Sequence, residues 1–206
     1  MPTPVEKFQT ALRENDGDFG LQLSRETCER LGNYYDLLLK WNARLHLVAP
    51  CSPEQFAIRH VLESLTLLRH LPPNARVADV GSGGGLPIVP CLIARADLCA
   101  TLIEASPKKA AFLREALRLT SSSARLVIGR FEETGAPATE YVTCRALERF
   151  EKMVPRLVDW APPTSTLLFF GGEALLGAIR KQRPIAQAEL LPHSARRLLI
   201  IAKGSG

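Results

Sequence analysis

Residues 77–87 read VADVGSGGGLP: a short strand-like run ending near Asp79, then Gly81, Gly83 and Gly85, then an apolar stretch able to enter a helix. Glycines let the backbone take positive φ and pass close to a ligand, and a helix start offers unpaired amides. The bend is therefore either a ligand cradle or a structural tight turn. Its spacing is GxGxG. A dinucleotide fingerprint requires GxGxxG, and Leu86 stands in the place of its third glycine, so nicotinamide binding is disfavoured.

Beyond Pro72 and Pro73 the chain alternates short apolar or β-branched runs with helical segments, the pattern of a parallel sheet with crossover helices. Strands are expected at 76–80, 101–104, 125–129, 141–144, 166–170, 189–191 and 197–202. One helix has a clear start, with Ser106 as N-cap and Pro107 in the first turn, and runs to about Leu119. Before the prolines, Cys28, Leu31, Tyr34, Tyr35, Leu38 and Trp41 recur at helical spacing over 24–41. Phe56, Val61, Leu62, Leu65 and Leu68 do the same over 53–71. The expected architecture is α/β: a helical region, 1–73, packed on a domain, 74–206, built on a seven-stranded, mostly parallel sheet. The SSS at 121–123 is expected as a loop, and the AKGSG tail, 202–206, is expected to fray.

A chain of 206 residues, 46% hydrophobic, can bury a sizeable core but not several large domains. Its apolar stretches are broken by proline or charge before the roughly 18 residues a membrane helix needs. MPTPVEKFQ lacks the basic-then-apolar order of an export signal, so no membrane association and a cytoplasmic location are expected. Cys28, Cys51, Cys91, Cys99 and Cys144 include no CxxC pair and read as reduced thiols. His46, His60, His70 and His193 have no metal-ligand spacing, and no metal is expected; His60 reads as a helix-packing or hydrogen-bonding residue. The net charge of +5 comes from the part after residue 75. That surplus fits a polyanionic partner such as RNA and fits an ordinary basic protein equally.

At the end of the second expected strand stands Glu104, in TLIEASPKKAAFLRE. An acid there can hold a ribose diol through two hydroxyl-to-carboxylate bonds, or is a solvated surface acid. GRFEE, 129–133, places Phe131 and Glu132 where an adenine could be stacked and edge-bonded, or forms a polar loop. Asp79, the glycine bend, Glu104 and an acid after the third strand, in that order, imply a Rossmann-like class I methyltransferase using S-adenosylmethionine. The (D/N)PPY motif of amine methylation is missing after the fourth strand, where the chain reads YVTCRA. Cys144 there could attack cytosine C6 in a 5-methylcytosine enzyme, but it lacks the Pro-Cys context and reads as a packing thiol.

YYDLLLKWNARLHLVA (34–49), IRHVLESL (58–65), VADVGSGGGLPIVP (77–90), LIEASPKKAAFLRE (102–115), GRFEE and VTCRALERF (142–150) together resemble the RsmG family, also called GidB, over roughly 34–203. The resemblance implies methylation of N7 of one guanine in the decoding-region loop of bacterial 16S rRNA, free or within the small ribosomal subunit. It implies cofactor contacts at Gly81, Leu86, Glu104, Phe131, Glu132 and Arg145, to which the bend itself adds Asp79 and Gly83. It implies RNA contacts at Arg59, Arg130, Arg145, Arg196 and Arg197, while Lys108 and Lys109 are either solvated or on phosphate. Guanine N7 carries a lone pair and no proton, so the site needs alignment and no general base. Arg145 lies near the methionine carboxylate or the base, or forms a structural ion pair. The chain departs from the family at Ile88, where glycine is usual, at His46 for Asn, at Pro50 and Cys51 for an apolar residue and Arg, and at Phe170 for Lys. Three other readings stay open: an oxidoreductase on a similar sheet, an RNA- or cofactor-binding relative that has lost catalysis, and a methyltransferase of another RNA base.

Overall fold

The structure, a computed structural model, describes residues 1–204; the end of the AKGSG tail, 205–206, lies outside the described residues. Helix α1 (Pro4–Asn15) begins with a reciprocal cap, the Thr3 side chain accepting from the Glu6 amide and the Glu6 carboxylate from the Thr3 amide at 2.7 Å. Helix α2 (Arg25–Leu45) is capped by Ser24, whose side chain accepts from the Thr27 amide at 3.1 Å, and runs past the expected end at 41. It stops at His46, which takes the left-handed conformation (φ 48°) that Gly or Asn most often supplies at a helix C-terminus.

The continuous helix expected over 53–71 is broken. It comprises α3 (Pro53–Phe56), a π-helical stretch (Ala57–Leu62), α4 (Glu63–Leu65) and a 3-10 segment (Thr66–His70). A fixed 3.6-residue spacing cannot register a widened turn followed by a tightened one. The widened turn carries Arg59 and His60 and delivers Glu63 into the interior.

The sheet contains β1 (Arg76–Val80), β2 (Cys99–Glu104), β3 (Ser123–Ile128), β4 (Tyr141–Arg145), β5 (Thr166–Gly171), β6 (Gln187–Leu190) and β7 (Leu198–Ala202). Its order is β3-β2-β1-β4-β5-β7-β6, with β1 to β5 parallel and β7 antiparallel to both neighbours. β2 begins two residues before its expected start, and β3 takes up Ser123, so the serine loop is shorter than expected. The crossovers are α5 (Ile88–Ala94), α6 (Pro107–Leu117), α7 (Phe150–Trp160) and α8 (Glu173–Arg180).

Alternation along the strands divides the core into two layers. Val77, Leu102, Leu168 and Leu199 pack with α5, α6 and the N-terminal segments in one hydrophobic cluster that includes Phe8, Leu31, Tyr34 and Phe56. Ala78, Val80, Ile103, Phe169 and Ile200 face the other way, onto α7 and α8. The N-terminal helices thus share a core with one sheet face. Because β2 and β4 flank β1 on opposite sides, the strand order reverses there, and the crevice beyond the C-terminal ends of β1 and β4 is the topological switch point where ligands bind in open α/β sheets.

Candidate active site

At that crevice the chain leaves β1 through Gly81 (φ 72°), Gly83 (φ 50°) and Gly85 (φ 83°). The Gly81 and Ser82 amides both donate to the Ile103 carbonyl, at 2.9 and 3.2 Å, which ties the bend to β2. Glu104 strengthens the tie: its carboxylate accepts from the Gly83 amide at 2.8 Å and from the Ser106 amide at 2.7 Å. From the N-terminal region, the buried Tyr34 hydroxyl donates to the Gly84 carbonyl at 2.5 Å. A Cβ at Gly81 would press on the tip of the Leu147 side chain at 2.9 Å, which can give way; it is the left-handed φ that favours glycine here.

Asp79 lies behind the bend, fully buried, with neither carboxyl oxygen hydrogen-bonded; the Ser82 hydroxyl turns instead to the Asp79 backbone carbonyl. Burial, aided by the nearby Glu104 charge, pushes its carboxyl up to about 7.

Two clefts open beside the bend. The first, of about 510 Å³, is lined by Gly81, Ala105, Gly129, Arg130, Phe131 and Glu132 from the β1, β2 and β3 ends, and by Met153 and Arg156 of α7. Glu132 lies 3.9 Å from the Arg130 guanidinium and 3.7 Å from that of Arg156. Phe131 is almost fully buried and meets Trp160 edge to face at 5.8 Å, and Trp160 Nε1 donates to the Thr134 carbonyl, which fixes the turn.

The second cleft, of about 480 Å³, lies on the other side of the β4 end, with Glu63, Arg145, Phe170, Gly171, Arg196 and Arg197 among its walls. Glu63 is fully buried and binds Arg145 Nη2 at 3.0 Å and Arg197 Nε at 2.6 Å. The Arg145 guanidinium also donates to the Arg59 carbonyl at 2.6 Å and lies 5.3 Å over the Phe170 ring. Burial, and the charges of Arg145, Arg197 and Arg59, push His60 down to about 4, so it is neutral at pH 7. Leu147 and Arg149 line both clefts, in a β4–α7 connection where Ala146 and Arg149 take positive φ.

Of the residues singled out in the sequence, Gly81, Arg130, Phe131 and Glu132 meet in the first cleft, and Arg145, Arg196 and Arg197 in the second. Asp79, Gly83, Leu86 and Glu104 line neither wall: Glu104 holds the bend through two amides, and Leu86 is buried beside it. Arg59 is exposed and enters the second cleft's hydrogen bonding only through its carbonyl. Ile88 is fully buried in the core on the N-terminal side and reaches neither cleft, so this departure leaves the bend open. Cys144 is fully buried and its thiol is pushed well up by burial, a state unsuited to nucleophilic attack. The sequence reading passed over Glu63, Leu147, Arg149 and Arg156; of these only Glu63 carried a signal, an acid set among the apolar positions of a helical stretch. Among the described residues no cluster of His, Cys, Asp and Glu could hold a metal ion, and no helix is long and apolar enough to cross a membrane.

Among solved structures, TYW2 of M. jannaschii in complex with AdoMet superposes with a TM-score of 0.56 at 13% identity, covering 70% of this chain and 74% of that one. The ribosomal protein L11 methylase of Lactobacillus delbrueckii subsp. bulgaricus does so with a TM-score of 0.56 at 16% identity, covering 71% and 79%. At such identities the likeness concerns the fold. In sequence, the "Ribosomal RNA small subunit methyltransferase G" of Gluconobacter oxydans is 39% identical over 173 residues, 84% of this chain and 83% of the relative. That of Neisseria meningitidis serogroup A is 38% identical over 162 residues, 78% and 75%. The family described as GidB, rRNA small subunit methyltransferase G, matches residues 27–194, a span that runs from the second helix through the glycine bend to the loop before the last strand. The matched span takes in the glycine bend, the first cleft and the second cleft up to Leu191, stopping short of Arg196 and Arg197, and the chain belongs to the GidB family.

Proposed function

We propose that the protein is an S-adenosylmethionine-dependent methyltransferase that modifies N7 of a guanine in 16S rRNA, in the cytoplasm, on free rRNA or on the small subunit. The observation that carries this reading is the adjacency of the two clefts. A pocket at the glycine bend and a pocket walled by arginines meet at Leu147 and Arg149, at the switch point of the sheet. The residues fit the cofactor: the first cleft is bounded by a side-chain-free Gly81 and by the acid Glu132, and the Glu104 carboxylate keeps lone pairs beyond the two amides it accepts.

When bound, S-adenosylmethionine supplies an electrophilic methyl group on a sulfonium. Gly81 allows the backbone close approach, Glu104 fixes the bend and offers its remaining lone pairs to ribose hydroxyls, and Phe131 and Glu132 bound the adenine end. Guanine N7 attacks with an in-plane lone pair and loses no proton, so the chain's task is to orient the base and exclude water. Held alignment of this kind lowers a barrier by roughly 7 to 11 kcal/mol. Arg145, Arg196 and Arg197 on the second cleft, with Arg130 at the first, supply charge for RNA. The helical region 1–73 belongs to the same machine, since it contributes Tyr34 to the bend and Glu63 to the second cleft.

Calorimetry tests the reading first. S-adenosylmethionine is expected to bind and NAD to give no heat; the reverse would replace the methyltransferase with an oxidoreductase. Transfer of tritiated methyl to unmethylated 16S rRNA or small subunits is expected, and its failure under conditions where a relative works would reject the proposal.

A further inference from the structure

Inside the second cleft the charges do not balance. Glu63 brings one negative charge, and each of its oxygens is occupied by a different arginine, Arg145 through Nη2 and Arg197 through Nε. Two cations therefore share one buried anion; along the same walls Arg149 and Arg196 add positive charge and Glu151 a negative one, so the cleft stays net positive. Arg145 Nη1 and Arg197 Nη2 are shielded from solvent and have no hydrogen-bond partner among the described residues. Buried charged donors left unpaired are costly, and here two of them stand on one cleft, anchored on the two oxygens of a single carboxylate. The fold gains nothing by leaving them so; an acceptor that enters from the cleft completes both.

The acceptor's chemistry follows from the excess charge. A base carbonyl could accept from both donors but would leave the net positive charge uncompensated. A donor placed on guanine N7 would occupy the reacting lone pair. A phosphate has enough oxygens for both arginines and neutralises the excess. We propose that Arg145 and Arg197 form a phosphate site for the substrate nucleotide, with Glu63 as the positioning residue that holds both guanidinium groups toward the cleft. The proposal rests on the RNA-methyltransferase reading and deepens it: the phosphate is seated beside Leu147 and Arg149, next to the first cleft.

The test compares guanosine with guanosine 5′-monophosphate, each titrated at low salt into the full chain saturated with S-adenosylhomocysteine. The monophosphate is expected to bind at least about tenfold more tightly. Arg197→Met is expected to bring the two within about threefold, with S-adenosylhomocysteine affinity retained, and Arg197→Lys to recover part of the preference. Arg125→Met, on β3 in a groove away from both clefts, is expected to keep the full preference. Glu63→Gln, which keeps the side chain's volume and removes its charge, is expected to lose the preference; if that variant folds and keeps it, Glu63 is not a positioning residue. In rRNA methylation, Arg197→Met is expected to raise KM far more than it lowers kcat, and to reduce the salt slope of RNA binding by about one.

Equal binding of the two ligands by the wild-type protein, or a preference that survives Arg197→Met, overturns the phosphate site. If the wild type also methylates rRNA, the methyltransferase reading stands without it. If the wild type neither binds S-adenosylhomocysteine nor methylates rRNA, the functional reading falls and takes the phosphate site with it.

Discussion

Glu104 has a structural job that the sequence does not present. An acid at the tip of the second strand suggests a partner for a ribose diol, yet both its oxygens already hold amides, one in the glycine bend and one at the start of α6. Replacing it removes a hydrogen-bonded carboxylate as well as any diol contact. Glu104→Ala is therefore expected to weaken S-adenosylmethionine binding by about 1 to 3 kcal/mol and to lower thermal stability, measured by calorimetry and by melting. Unchanged affinity would remove Glu104 from the cofactor site. Cys144→Ser, at a buried thiol held protonated, is expected to leave turnover nearly intact; abolished turnover with a preserved fold would reinstate a covalent mechanism. The place of Glu104 at the end of the second strand was legible from strand order; its hold on the Gly83 and Ser106 amides was not. Nor was the role of Glu63, since its two arginines are 82 and 134 residues away and nothing local records that they converge.

At the scale of elements, the parallel strands were readable from their apolar runs, with boundaries displaced by a residue or two where pairing with a neighbour extends them. β2 reaches back to Cys99, and β3 to Ser123, because the two pair with each other at that register. The segment from Pro53 to His70 was not readable as built, because its apolar spacing suits one long helix while its backbone passes through a π-helical turn and a 3-10 segment. The change of pitch directs Glu63 inward. Helix α2 depends on its cap, and Ser24→Ala is expected to cost about 1 kcal/mol of unfolding free energy in denaturant titrations, by removing the acceptor for the Thr27 amide. Tyr34, on the same helix, reaches the glycine bend. Tyr34→Phe is expected to cost about 1 kcal/mol and to weaken S-adenosylmethionine binding, because the Gly84 carbonyl loses its donor.

Across the whole molecule, the site is a joint product of the two core layers and the N-terminal helices, with Asp79 buried behind the glycine bend. Asp79 titrates near 7 in the fold, against 3.8 as its ordinary value. The folded chain therefore binds a proton that the unfolded chain releases at lower pH, so its stability contribution is complete below about pH 4 and is lost as pH rises to about 7. Asp79→Asn is expected to flatten that decline and to make the ligand-free protein more stable at pH 8, by on the order of 2 to 4 kcal/mol, in denaturant unfolding across pH. A parallel pH profile in the variant would show that Asp79 ionises freely. The fold class, the glycine bend and most of the arginines were visible as local patterns. The division into two clefts was not, because it depends on the β4–α7 connection, where Leu147 and Arg149 stand between them inside the VTCRALERF stretch with no role readable for either.

The most direct test of the central claim is mass-spectrometric mapping of 16S rRNA from cells with and without this gene. One 7-methylguanine is expected in the decoding-region loop when the gene is present, lost when it is deleted, and restored by the wild-type chain. An identical methylation pattern in both strains would contradict the account.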